Sequence, residues 1–134
     1  MRIPLLIALL LANAPATAPD WVLKDSAYRT FLTRLQNAVR SDDRTAVMKL
    51  IAFPLRVNSR GSSRFYRDAH STLRDYRKIF TPAVRRAILA QHFETLFGRD
   101  QGVMIGNGAV WFDHMCFNGA CLRRGPVLIE AINR

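Results

Sequence analysis

Residues 102–115, GVMIGNGAVWFDHM, constrain the fold more than any other part of the chain. The stretch is too rich in glycine for a helix, where each glycine costs about 1 kcal/mol against alanine. It is also too apolar for a loop over the surface. One long, bent, largely buried strand is the expectation. Val103, Ile105, Ala109, Trp111 and Met115 hold its odd positions, and Met104, Val110, Phe112 and Cys116 its even ones. Successive strand side chains point to opposite faces, so both faces of this strand read as apolar. A sheet with one wet face alternates instead. Something besides helices should therefore cover the second face: another subunit, an internal cavity or a bound apolar ligand. Gly106 and Gly108 supply the bend that a curved sheet needs.

The elements upstream are helical. Over residues 25–40, Tyr28, Phe31, Leu32, Leu35, Ala38 and Val39 form one apolar stripe. Ser41, Asp42 and Asp43 then offer capping oxygens for a short second helix, and Pro54 pushes Phe53 toward extended geometry. Residues 55–58 and 64–67 read as two short strands joined across Gly61. Helical spacing resumes near His70, with Leu73, Tyr76, Ile79 and Phe80 on one face. Thr81-Pro82 starts another helix, since threonine caps and proline at the first position loses no needed donor. Gly98 and Asp100 break the pattern, and strand-like sequence follows over residues 103–116, 121–124 and 127–133. Helices first and strands after them predict an α+β domain, with N-terminal helices packed on one face of a curved antiparallel sheet.

The first residues read as a targeting segment. Met1-Arg2 is a short positive start, residues 3–11 are apolar apart from Pro4, and small residues follow. The run falls short of the ~20 residues a spanning helix needs, so it predicts a signal peptide over residues 1–16, cleaved after Ala16, with no transmembrane anchor. Residues 17–134 then form a single exported domain, periplasmic or secreted.

Export bears on the cysteines and on the charge. Cys116 and Cys121 lie in CFNGAC, and a disulfide persists outside the cytoplasm. Asn118-Gly119 is a preferred two-residue hairpin pair. Such a hairpin sets Cys116 opposite Cys121 with Cα atoms ~4.5 Å apart, within bridging range. The formal charge is +10, falling by one when Arg2 leaves with the leader. In an exported protein that surface faces anionic lipid headgroups, lipopolysaccharide, cell-wall polymers or an acidic protein rather than nucleic acid.

The order of elements resembles the nuclear transport factor 2-like superfamily, the cystatin-like cone that includes the SnoaL-like proteins. The resemblance rests on the opening helix around FLTRLQNAV, on SDDRTAVMKLIAFPLRV, and on the closing strands GVMIGNGAVWF and PVLIEAIN. It implies a helix-lined cone with a pocket at its mouth, and a homodimer across the open sheet face. It implies no activity, because one fold hosts many functions, and no aspartate–histidine dyad stands at a recognisable spacing.

Candidate site residues are few. Asp113 and His114 are adjacent on a strand and point to opposite faces, so they cannot share one relay; His114 could act alone as a base or as a binding residue. Arg56, Arg60, Arg64 and Arg67 gather beside Tyr66 if their strands pair, forming a patch for an anionic partner. Trp111 could floor a pocket. His70, His92 and His114 have no metal-ligand spacing, and Gly106-Asn107-Gly108 lacks the features of a phosphate loop; no metal or cofactor is implied. The leading reading is a small non-enzymatic binding domain for a partner protein, an apolar ligand or an anionic envelope component, with Arg56, Arg64, Tyr66, Trp111 and His114 as binding residues. The alternatives are a cone-type hydrolase or isomerase, with Tyr28, Tyr76, His114 and Asn133 lining its pocket, and an inhibitor or immunity-type protein.

Overall fold

The computed structural model describes residues 16–121 and 123–134. The leader reading concerns residues 1–16, of which 1–15 lie outside the described residues. Among the described residues no helix is long and apolar enough to cross a membrane.

The helices form where the apolar stripes and caps predict. A short α1 (Asp20–Leu23) precedes α2 (Ser26–Arg40), whose stripe from Tyr28 to Val39 is buried throughout. Asp25 caps α2 by accepting from the Ala27 amide at 3.0 Å, which satisfies one of the donors a helix start leaves free. Asp43 caps α3 (Arg44–Met48) and Asp68 caps α4 (Ala69–Arg74), a position expected near His70. After α5 (Tyr76–Ile79), Thr81 caps α6 (Pro82–Ala90) with proline in the first turn. Gln36 of α2 donates to the carbonyls of Ile88 and Gln91 at 2.9 and 2.8 Å, fastening the end of α6 to α2.

Six strands form one curved sheet: β1 (Ile51–Ser59), β2 (Ser62–Tyr66), β3 (Phe97–Arg99), β4 (Gly102–Ile105), β5 (Val110–Cys116) and β6 (Arg124–Asn133), in the order β2-β1-β6-β5-β4-β3. The helices are N-terminal to most of the sheet and pack on it, as an α+β chain should. One pairing differs from an all-antiparallel sheet. β6 runs parallel to β1, because the last strand slots between β1 and β5. The sheet is mixed.

The central segment also corrects an expectation. Residues 102–115 are not one bent strand but two antiparallel strands, β4 and β5, reversed through residues 106–109. Gly106 and Gly108 adopt positive φ of 59° and 87°, the left-handed region that β-carbons disfavour. Ala109 donates to the Ile105 carbonyl at 3.0 Å, and the Gly106 amide to Gln91 Oε1 at 2.8 Å, closing the turn and tying it to the end of α6. The reversal resets which residues face the core. Val103, Ile105, Val110 and Phe112 are fully buried against the helices, where Phe31 of α2 stacks on Phe112 with centroids 4.5 Å apart. Met104 and Trp111, paired across the two strands, face the other way.

Cys116 and Cys121 form the disulfide, with Cα atoms 4.8 Å apart. The surrounding turn is longer than a two-residue hairpin, since Cys116 pairs with Arg124 and the Cys121 amide returns to the Asn118 carbonyl at 3.0 Å.

Candidate functional site

The sheet face turned away from the helices carries a cross-strand row through all six strands: Phe65, Arg56, Ala131, Trp111, Met104 and Phe97. Residues in register lie on one face, so five apolar side chains and an arginine share a surface that no helix among the described residues covers. Phe65 and Phe97, at its two ends, are 59% and 44% exposed.

A bulge shapes the middle of this face. Trp111 pairs with Ala131 but Phe112 with Ile129, which leaves Glu130 as an extra residue in β6. The extra residue resets the alternation: Ile129 and Ile132 both face the core, while Glu130 joins Ala131 and Trp111 on the open side. These residues line a cleft of about 640 Å³ with Pro54, Arg56, Phe65, Arg99, Gln101 and Asn133.

The cleft is charged as well as aromatic. Arg99 holds its guanidinium 5.4 Å from the Trp111 ring centroid and donates to Gln101 Oε1 at 2.6 Å. Among the described residues, neither Arg56 nor Arg99 has a carboxylate within 4.0 Å, and Glu130 has no ion pair or hydrogen bond from its side chain. Solvent reaches Glu130, yet the surrounding protein mass holds its carboxyl above the usual range; Asp113 adds repulsion and Arg56 opposes it. Asn133 closes one end, accepting from Asn58 at 2.7 Å and donating to the Gly108 carbonyl.

Of the residues singled out in the sequence, Arg56, Trp111 and Asn133 meet in this cleft. Arg64 and Tyr66 do not. Their strand alternates, so they pair with Val57 and Leu55, whose side chains are buried, while Arg56 points to the open face. Asp75 engages both, accepting from the Tyr66 hydroxyl at 2.9 Å and lying 3.5 Å from Arg64. Tyr76 is buried elsewhere, stacked on Phe80 under Arg44, and its hydroxyl has no hydrogen-bond partner among the described residues. Phe65, Arg99 and Glu130 were missed. Glu130 carried a signal, as the one acid within the apolar run VLIEAIN.

Tyr28 and His114 meet in a separate polar network. The Tyr28 hydroxyl donates to Asp113 Oδ1 at 2.6 Å, and the His114 amide donates to the same oxygen at 2.8 Å. Adjacent Asp113 and His114 are thus linked through backbone and through Tyr28, whose ring meets the His114 ring edge-on at 5.1 Å. His114 Nε2 lies 2.7 Å from Asp25 Oδ2, and Nδ1 lies 2.7 Å from the Gly125 carbonyl. Both nitrogens face acceptors, so both contacts are hydrogen bonds only when both nitrogens carry protons. Burial by itself would raise the Asp25 carboxyl. The hydrogen bonds from His114 and Ala27 and the charges of His114 and Arg124 outweigh it and hold Asp25 below its ordinary 3.8. Burial, then the Asp113 hydrogen bond and charge, push the Tyr28 phenol far above its ordinary range. Tyr28 is fully buried and the His114 side chain is 12% exposed. This network fastens the start of α2 to β5 and β6.

No protein-family model matches this chain, and no curated protein or solved structure does. Among the described residues no group of three or more His, Cys, Asp or Glu is placed to hold a metal ion.

Proposed function

We propose that the protein is a small exported, non-enzymatic binding domain of the cone type, holding an organic anion with an apolar or planar body on its open sheet face. The observation that carries this reading is the presence in one cleft of Arg56 and Arg99, which have no carboxylate within 4.0 Å among the described residues, together with Trp111 and Phe65. Guanidinium groups bind carboxylate or phosphate with directed hydrogen bonds, and the aromatic surface takes the apolar remainder. The basic balance of the whole chain favours an anionic envelope component as the natural source. Against an acid–base enzyme stands the packing of Tyr28 and His114, each already committed to a carboxylate.

The test uses 8-anilinonaphthalene-1-sulfonate, an anionic aromatic dye. Titration at low salt should give saturable binding, and Arg56→Ala with Arg99→Ala should weaken it about tenfold or more, as expected for lost charged hydrogen bonds. Dye binding unchanged in the double variant would overturn the reading.

A second reading keeps the same face for a second copy of the chain, favoured by the exposure of Phe65 and Phe97 at opposite ends of the row. A two-fold contact presents the same patch to itself and so brings both copies' Arg56 and Arg99 into one interface with an excess of positive charge, which is why the ligand is preferred. Sedimentation separates the two: the ligand reading expects the mass of a single chain, and the self-association reading twice that mass.

A further inference from the structure

Resting on the binding reading above, we infer that the ligand is a zwitterion, with its acidic group held by Arg56 and Arg99, its amine by Glu130 and its apolar body by Trp111 and Phe65. The reason lies in what the cleft leaves unpaired. Arg56, Arg99 and Glu130 line one space, and among the described residues none has an oppositely charged partner within 4.0 Å. A purely anionic ligand would satisfy the arginines and bring a second negative charge beside Glu130. Asp113 on the neighbouring β5 already repels that carboxylate, and among the described residues Arg56 on β1 makes no ion pair with it within 4.0 Å. An ammonium group resolves the conflict by giving Glu130 a donor and an opposite charge of its own.

The backbone supports a role for Glu130. In an unbulged β6, with Ile129 in the core, position 130 would share the open face with Ile132 and Ala131 would turn inward. The bulge opposite Trp111 keeps Ile129 and Ile132 both in the core and sets Glu130 beside Ala131 on the open face, in the cleft and between the two arginine-bearing strands. Bulges of this kind re-aim a side chain at a functional surface. Glu130 is on this account the specificity-determining residue, choosing an amino acid over a simple carboxylic acid.

A matched set of probes tests it: phenylalanine, 3-phenylpropionate and phenethylamine share a ring and differ in charged groups. Calorimetric titration at neutral pH and low salt should place phenylalanine about tenfold tighter than either singly charged probe. Glu130→Gln should reduce phenylalanine to the level of 3-phenylpropionate while leaving 3-phenylpropionate as tight or tighter. If 3-phenylpropionate equals or exceeds phenylalanine in the wild type, the zwitterion assignment falls and anion binding stands. If none of the three binds, and the anionic dye is also indifferent to the arginine variants, the underlying reading falls with it. Glu130 is exposed and off the core, so its variant should keep the wild-type fold, which circular dichroism checks.

Discussion

Asp25 is the residue on which two parts of the fold depend, and its replacement separates them. One carboxylate oxygen caps α2 and the other accepts from His114 at 2.7 Å. A lost cap costs about 1 kcal/mol. A hydrogen bond to a charged group contributes about 1.5–3 kcal/mol, and the lower end applies because the Asp25 side chain is 24% open to solvent. Asp25→Ala should therefore lose roughly 2–3 kcal/mol. Asparagine caps as well as aspartate, so Asp25→Asn should lose only the pairing, about 1.5 kcal/mol. Urea unfolding at neutral pH measures both, and each kcal/mol should lower Tm by roughly 3–6 °C in a chain of this size. The sign of the pH dependence follows from the direction of the shift. Asp25 titrates below 3.8 in the folded state, so its contribution is fully present above that value and is lost as pH falls through the lower, folded one. The gap between wild type and Asp25→Asn should narrow from about pH 5 to about pH 2. Equal stability of the two at neutral pH, or a gap unchanged in acid, would refute the assignment of His114 as the fastening partner.

Three further outcomes are expected. Replacing both Cys116 and Cys121 by serine should lower stability by about 2 kcal/mol, the loop entropy of a short bridge; thiol titration of the denatured, unreduced wild type should find no free thiol. Gly106→Ala and Gly108→Ala should each cost about 1–2 kcal/mol in thermal unfolding, because both glycines hold positive φ, whereas Gly119→Ala, with nothing within 4 Å of its added carbon, should change little; equal effects at all three would remove the turn assignment. Tyr76→Phe should raise stability by roughly 1 kcal/mol, since the buried Tyr76 hydroxyl has no partner. A clear loss would show that the hydroxyl is satisfied in solution.

Much of the helical layer was legible in the residues. The α2 stripe, the Asp43 and Thr81 caps and the start at Pro82 depend on side chains three or four positions apart or on the adjacent backbone, so a local pattern suffices. The short β3 was not legible, for Gly98 and Asp100 look like breakers until β4 lies alongside to pair with it. Of the candidate site, Trp111, Arg56 and Asn133 stood out by type, but nothing local said that they meet or that Arg64 and Tyr66 point elsewhere.

Residues 102–115 divide these two kinds of knowledge. Their composition by itself determined that they pair as strands rather than wind as a helix and that Gly106 and Gly108 take a special backbone role, because those properties follow from side-chain size, polarity and allowed φ. Only the tertiary structure decided that the glycines reverse the chain rather than bend it. The choice depends on partners far away in sequence: Gln91 receiving the Gly106 amide, and Asn133 donating to the Gly108 carbonyl. The same holds for the bulge at Glu130, which exists only where β6 meets β5. Register between distant strands sets which face a side chain occupies, and a shift of one residue moves it to the other side. At the bulge that shift keeps Ile129 and Ile132 both in the core and leaves Glu130 and Ala131 together on the open face.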